Sequence, residues 1–357
     1  GQTDARFETI GDPEIAPFIS DAQRHRKADD QVPLSTPALT FEHNAGLSLL
    51  AAEQVSKITP TPLSYQAGTG AFVINKDTLI VHSTELGKEA SFLRASIKDV
   101  SGVALQRAAT RPAGRAAIVL QLGAVNVSDT LAPKEAYTLD INGDSIVITG
   151  ASAHGVFNGI QSLRQLLPVA AFLNPQAALS VASAQILDAP RFAYRGMHLD
   201  VGRNFSSKES VLRLLDCMAL YKLNQFHFHV TDDEGWRVEI PSLPELTEIG
   251  SKRGFTQTEQ DNLVPCFGSG GDVSNPAGTG FYSREDFIEI LVYATARHIE
   301  VVPEIDVPGH ARAAIKAMNL RYHRLMHAGH ETEARQYLLC DFDDASEYES
   351  VQLWHDN

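Results

Sequence analysis

Cysteine, tryptophan and long apolar runs are all scarce in this chain of 357 residues, which has 3 Cys, 2 Trp and 4 Met. Cys217, Cys266 and Cys340 show no paired spacing, so they allow one disulfide at most and exclude a cysteine-rich zinc module. The longest apolar run, residues 166–173, is interrupted by Pro168 and falls far short of the roughly 20 residues that cross a bilayer. No membrane span is expected. Basic residues are outnumbered, 30 Lys and Arg to 44 Asp and Glu, and the formal charge of −14 disfavours nucleic acid as a partner. No basic and apolar leader follows Gly1, so any secretion signal is expected to have been removed or to lie outside the chain.

What is present is a globular composition, 43% hydrophobic and 21% charged, enough to bury cores in two or three domains. Residues 1–57 are polar and scattered, and read as the end of an N-terminal domain or a linker, with a short apolar patch over 47–55 suggesting a helix. Residues 58–184 alternate as strand, strand, helix, strand, hairpin, helix, a small α+β domain. Its hairpin pairs 137–141 with 145–149 across Asn142-Gly143, which predicts a type I′ turn with positive φ. The helix expected over 154–167 carries one apolar stripe, Val156, Ile160, Leu163 and Leu167.

From 185 the pattern becomes strand (197–201), helix (208–223), strand (225–231), helix (284–298), strand (300–305), which implies parallel βαβ units. Ser206 with Glu209, and Ser283 with Asp286, have capping-box spacing at the two helix starts. Val211, Leu215 and Met218 form the inward stripe of the first of these helices. Loops at the carboxyl ends of parallel strands build active sites because neighbouring ends open on one face. All three strands here end in polar residues: Asp200-Val201-Gly202-Arg203, then Thr231-Asp232-Asp233-Glu234-Gly235-Trp236-Arg237, then Glu304-Ile305-Asp306-Val307-Pro308-Gly309-His310.

In the middle strand a period of two sets His227, His229 and Thr231 on one face and Phe226, Phe228 and Val230 on the other. The imidazoles read either as zinc ligands, with Asp306 and His310 completing the shell, or as core hydrogen-bonders below a pocket. Asp233 and Glu234 read as a general-acid pair or, more plainly, as a loop cap and a solvated face. Trp236 reads as a sugar platform or as a loop anchor, and the glycine-rich stretch 267–280 as a long loop shaping the entrance. Asn126-Val127-Ser128 and Asn204-Phe205-Ser206 are glycosylation sequons. A glycan on the second would block the pocket, so it is expected to be unmodified.

Three strings carry a resemblance: RGMHLDVGRNF (195–205), FHFHVTDDEGWR (226–237) and VPEIDVPGH (302–310). They resemble, in order, the first three barrel-strand motifs of glycoside hydrolase family 20, the β-N-acetylhexosaminidases and bacterial chitobiases. The resemblance implies an α/β fold, a partial (β/α)8 TIM barrel of about three strands over 185–357, preceded by the small α+β domain. It implies a retaining exo-enzyme that releases terminal GlcNAc or GalNAc from chitooligosaccharides or glycoconjugates, as in chitin degradation. In this family the substrate's own 2-acetamido oxygen attacks the anomeric carbon, one Asp orients it, and the adjacent Glu protonates the leaving oxygen.

That Asp-Glu pair belongs to the end of a fourth strand and has no counterpart in this chain. With 173 residues from 185 onward, against about 250 in a whole barrel, the chain reads as a fragment or as one of two pieces, a second chain completing the barrel. Carried over by motif, Arg203 binds sugar hydroxyls, Asp232 lines the pocket, and Asp306 with His310 supports the acid and His310 also faces substrate. A salt bridge to Asp200 is the alternative role for Arg203, and a helix-start cap the alternative for His310. The resemblance implies no cofactor and no metal, a β-linked N-acetylhexosamine oligosaccharide as partner, and a periplasmic or extracellular location. A metal-dependent barrel hydrolase and a non-catalytic sugar-binding relative are the competing readings.

Overall fold

The computed structural model describes residues 20–25, 36–51, 55–128 and 131–338. Cys340 and the acidic stretch 341–349 lie outside them. The chain divides into two compact units, Gly1–Ser56 and Lys57–Asn357. In the first, helix α1 (Pro37–Asn44) is capped by Thr36, whose Oγ1 accepts from Leu39 N at 3.1 Å, and it buries no residue. The helix expected over 47–55 is not there in its described part: residues 47–51 are irregular, and Leu47, Leu49 and Leu50 are exposed. An apolar cluster without a partner face has nothing to stabilise a helix.

The second unit opens with a mixed seven-stranded sheet. Its strands are β1 (Ser64–Ile74), β2 (Leu79–His82), β3 (Gln106–Ala108), β4 (Ala117–Leu122), β5 (Tyr137–Ile141), β6 (Ser145–Gly150) and β7 (Leu179–Asp188), in the order β1-β7-β5-β6-β4-β2-β3. Helices α2 (Gly87–Ser101) and α3 (Ala153–Gln165), with the short α4 (Val169–Leu173), supply its helical layer. The predicted stripe of α3 is in place, with Val156, Ile160 and Leu163 fully buried against Leu93 and Ile97 of α2 and Ile146 and Ile148 of β6. The β5–β6 hairpin forms, but its turn is not type I′. Neither Asn142 nor Gly143 has positive φ. Asn142 Oδ1 instead accepts from Asp144 N (2.9 Å) and Ser145 N (3.0 Å), and this side-chain turn replaces the left-handed backbone.

Beyond β7 the chain lays down three parallel strands, β8 (Gly196–Asp200), β9 (Gln225–His229) and β12 (Glu300–Glu304), ordered β12-β9-β8. Between β9 and β12 a two-residue ribbon pairs β10 (Thr231–Asp232) with β11 (Gly235–Trp236). Helix α5 (Lys208–Leu220) links β8 to β9, while α6 (Glu245–Glu248) and α7 (Arg284–Thr295) precede β12. The period of two in β9 has the expected result: Phe226, Phe228 and Val230 are buried with Val211, Leu215 and Met218 of α5 and Ile290 and Ala294 of α7. His227 and His229 therefore face the other side of the sheet, the interior of a barrel. This is a partial (β/α)8 barrel preceded by an α+β layer. Helix α7 opens with the Ser283–Asp286 capping box. The cap of α5 is Ser207 and not Ser206, its Oγ accepting from Ser210 N, so Glu209 falls at the second helical position and closes no box. Helix α8 (Arg312–His327), followed by α9 (Glu331–Ala334), buries Ala317 and Met318 on Leu246 and Ile249.

The one to three residues before each barrel strand dock on the α+β layer. Before β8, Arg195 pairs with Glu135, which also accepts from Asn224 Nδ2 at 3.2 Å. Before β9, Lys222 Nζ lies 2.8 Å from Asp188 and 3.0 Å from the Tyr137 hydroxyl. Before β12, His298 Nε2 lies 2.9 Å from Glu89 and its ring stacks on His154 at 4.8 Å. Lys222 and His298 both have left-handed backbones, φ 61° and 56°. Each ends its helix in a Schellman-like turn, with Leu223 N bonded to Met218 O and Ile299 N to Ala294 O.

Candidate active site

Three strand ends converge at the opposite, carboxyl side of the sheet. After β8 the chain turns tightly: Asp200 Oδ1 accepts from Arg203 N at 3.0 Å and its Oδ2 from Arg203 Nη1 at 2.8 Å. Gly202 is required by close approach, since a Cβ there would stand 2.9 Å from Asp232 Cβ and 3.1 Å from Asp232 N. Arg203 Nη2 reaches Asp232 Oδ2 at 2.9 Å, and Nε lies 3.6 Å from Glu234. One guanidinium thus faces three carboxylates while remaining about a third exposed, at 31%. Burial works against its charge, but the Asp200 and Asp232 carboxylates hold its pKa above the ordinary arginine value.

Asp232 is the hub, 1% exposed. Besides Arg203 it bonds His229 Nε2 at 2.7 Å and His310 Nδ1 at 3.2 Å, and accepts from Asp233 N at 2.8 Å. His310, in the loop after β12, has a left-handed backbone with φ 57°. Its Nδ1 also lies 3.3 Å from Arg203 Nη2. A protonated Nδ1 donates to Asp232, and an unprotonated one accepts from Arg203. The structure therefore brings Arg203, Asp232 and His310 into direct contact. Asp306, half-buried, joins through His229 and Asp232, its donor atom within 4.8 Å of theirs. The salt bridge of Arg203 to Asp200 exists as well, as one arm of the same network.

The other sequence candidates find different work. Asp233 Oδ1 accepts from Arg312 N at 2.9 Å and caps α8, so the helix-start cap falls to Asp233 and not to His310. Glu234 is half-buried, and burial together with the neighbouring Asp232 and Asp233 pushes its carboxyl up to about 7. Trp236 donates Nε1 to Val238 O at 2.6 Å and packs with the α6–α8 cluster as a loop anchor. Glu304 Oε2 lies 2.5 Å from His227 Nε2, 2.8 Å from His229 Nδ1 and 3.8 Å from His198 Nε2. Among the described residues, the donor groups close enough for a cation are His198-His229-Glu304, His229-Asp232-Asp306 and Asp232-Asp233-His310. The ligand set His227, His229, Asp306 and His310 is not assembled as one group.

Two buried arginines that sequence reasoning passed over hold the loops. Arg237, fully buried, donates to the carbonyls of Val201, Gly202, Ser251, Gly278 and Gly280 at 2.9 to 3.2 Å. Arg253, equally buried, donates to Arg203 O (2.6 Å) and Asn204 Oδ1 (3.2 Å), and so ties the 266–278 loop to the Arg203 turn. Arg237 lies inside one of the quoted strings. Arg253 has no sequence signal, because its partners, two backbone carbonyls and the Asn204 and Cys266 side chains, come from separate loops.

Comparison with known proteins gives two family matches: residues 55–189 match glycosyl hydrolase family 20, domain 2, and residues 192–349 match its catalytic domain. The chain is 40% identical over 351 residues to an N,N'-diacetylchitobiase of Vibrio harveyi, covering 96% of this chain and 37% of that protein. A beta-hexosaminidase B of Pseudoalteromonas piscicida is 45% identical over 221 residues, 62% of this chain and 28% of its own length. Among solved structures, a GH20 exo beta-N-acetylglucosaminidase from Vibrio harveyi in complex with N-acetylglucosamine superposes with TM-score 0.64 at 34% identity, over 76% of this chain and 39% of that one. A Streptomyces plicatus N-acetyl-beta-hexosaminidase in complex with Thio-NAglucal gives TM-score 0.59 at 34% identity, over 73% and 48%. The chain spans well under half the length of the curated relatives it matches.

Proposed function

The chain belongs to glycosyl hydrolase family 20, and from that premise we propose that it forms part of a retaining exo-β-N-acetylhexosaminidase acting on terminal GlcNAc or GalNAc of chitooligosaccharides or glycoconjugates. The observation that carries this reading is the Arg203 guanidinium, fixed between Asp200 and Asp232 beside His310 at the carboxyl ends of adjacent parallel strands. A fixed multi-donor fork suits neutral sugar hydroxyls, and carboxylates around it accept from the same hydroxyls.

In the proposed reaction the substrate's acetamido oxygen forms a bond to the anomeric carbon. The bond to the leaving oxygen breaks as that oxygen takes a proton from the acid, and water then opens the oxazolinium with net retention. Arg203 and Asp232 hold the sugar, while His310, with Asp306 nearby, stands beside the position of the acid. We assign the acetamido-orienting Asp and the acid Glu to a fourth strand, outside β8, β9 and β12, supplied by continuing sequence or by a second chain. The domain limits we adopt are 1–57, 58–184 and 185–357. We also propose a periplasmic or extracellular location, on the family resemblance. Among the described residues no helix is long and apolar enough to cross a membrane.

The test is hydrolysis of a chromogenic N-acetyl-β-glucosaminide followed by proton NMR. The protein with a completed barrel releases the β-anomer first, and residues 1–357 alone turn nothing over. Initial release of the α-anomer, or equal turnover by residues 1–357 alone, contradicts the reading.

A further inference from the structure

Imidazoles from two strands and a carboxylate from a third meet on the barrel side of the parallel sheet, next to the Asp232 hub. Register puts them there. Asp200 of β8, His229 of β9 and Glu304 of β12 stand in one row across the sheet, and His198 pairs with His227 two residues earlier. Paired residues of parallel strands point to the same face, so all five side chains share the interior side. One donor atom each from His198, His229 and Glu304 lies within 4.8 Å of the other two. Glu304 Oε2 stands 2.8 Å from His229 Nδ1 and 3.8 Å from His198 Nε2. That oxygen is buried and makes no hydrogen bond, so the ring nitrogens approach it without hydrogen-bond direction. A buried carboxylate oxygen without a donor carries its full desolvation cost, which a cation among the three atoms would offset.

The other nitrogen of His229 has the partner that a metal-bound histidine needs. Nε2 hydrogen-bonds Asp232 Oδ2 at 2.7 Å. A carboxylate there keeps a proton on Nε2, leaves the Nδ1 lone pair free for a cation and raises its basicity, as in carboxylate–histidine–zinc triads. The surrounding charge favours a cation too: Asp200, Asp232, Glu304 and Asp306 lie about His229, against the one guanidinium of Arg203. Two further groups of donors contain Asp232. Its oxygens are already engaged by Arg203, His229, His310 and the Asp233 amide, so neither group offers an orphaned atom of the kind Glu304 does.

We propose that His198, His229 and Glu304 form a zinc site that clamps β8, β9 and β12 together on the barrel side of the sheet. Two imidazole nitrogens and one carboxylate oxygen suit Zn2+ with water in the fourth position. Mg2+ and Ca2+ take mostly oxygen in six or more positions and do not fit. His198 is half-exposed and gives the ion a way in. His227, 2.5 Å from Glu304 Oε2, is not part of the group. The ion takes no step in the hydrolysis proposed above, where the acetamido oxygen is the nucleophile. It holds His229, and through His229 the Asp232 carboxylate, so the site is independent of that reading.

The test is calorimetric titration of zinc chloride into the intact, untagged protein after chelator treatment and dialysis, beside His198→Ala and His310→Ala, with thermal unfolding of the same samples. The parent is expected to take up one Zn2+ with a Kd of about 1 μM or tighter. Its melting temperature should rise with zinc concentration, because only the folded state brings the three donors together. In His198→Ala the affinity should fall by more than about 100-fold, beyond what loss of an outer-shell partner costs, and the zinc-dependent rise should vanish. His310→Ala, which leaves the three donors in place, should keep the parent's affinity. A parent that takes up no zinc overturns the proposal whether or not the variants fold. Uptake that survives His198→Ala overturns it as well, as does uptake lost in His310→Ala, which would put the ion on Asp232, Asp233 and His310.

Discussion

The two ends of the three barrel strands carry ion pairs of opposite character. At the amino ends the Lys222–Asp188 pair is shut away from water, Lys222 5% and Asp188 8% exposed, and the Tyr137 hydroxyl closes the remaining position. At the carboxyl ends, one guanidinium serves three carboxylates, and Arg203 and His310 stay 31% and 40% exposed in their side chains. The first arrangement is complete in itself and holds the α+β layer to the barrel. The second stays partly exposed to solvent, as the proposed sugar site requires. Conserving charge balance at the lower face and leaving it unbalanced at the upper one is the division of labour expected of a (β/α)8 barrel.

The contrast breaks most easily at the lower face. Lys222→Met leaves Asp188 charged and unpaired in the interior and is expected to lose about 3 to 5 kcal/mol of stability, read by urea unfolding. Sugar affinity in the protein that remains folded should be unchanged. A loss below about 1 kcal/mol would mean that water reaches the pair and that the two faces do not differ in kind.

At the upper face, Gly202→Ala drives a Cβ against the Asp232 backbone and is expected to cost about 1 to 3 kcal/mol. Here stability and sugar affinity should fall together, because the displaced residue is the hub of the site. Unfolding curves and N-acetylglucosamine titrations on the same preparation separate this outcome from that of Lys222→Met.

An effect confined to a pH window concerns Glu234. Its carboxyl is raised to about 7 in the folded protein, by burial first and then by Asp232 and Asp233, so the folded state holds its proton more tightly than the unfolded state does. The stability this contributes is fully present below about pH 4.5 and is lost as the pH rises through 7. Glu234→Gln cannot titrate, so its melting temperature relative to the parent should rise between pH 4.5 and 8. A constant difference across that range would place Glu234 in water.

Much of this division was legible in the chain. The period of two in 226–230 separates the phenylalanines from the histidines, and the polar ends after β8, β9 and β12 mark one face of a parallel sheet. What stayed hidden depends on contacts with no local signature. Asn142-Gly143 predicts a left-handed turn, but the Asn142 side chain supplies the bonds instead, and a Gly permits positive φ without demanding it. Ser206 and Ser207 are equivalent as caps until the helix start is known, and Ser207 takes the role by one residue. The 47–50 leucines look helical only if a partner face exists. Arg237 and Arg253 are both buried on groups brought together by loops far apart in sequence, which no local pattern marks. The lower-face set, Arg195, Lys222 and His298, lies outside every motif except for Arg195, because its partners belong to the α+β layer.

The central claim is that Arg203, fixed by Asp200 and Asp232, binds the sugar. The measurement that meets it most directly is calorimetric titration of N-acetylglucosamine into the protein with a completed barrel, parent against Arg203→Ala. Loss of charge-assisted hydrogen bonds is expected to weaken binding by about 1.5 to 3 kcal/mol, roughly 10- to 150-fold, in a protein that is less stable but still folded at the temperature of the titration. Equal affinity in the two proteins would make Arg203 a structural ion pair and contradict the account.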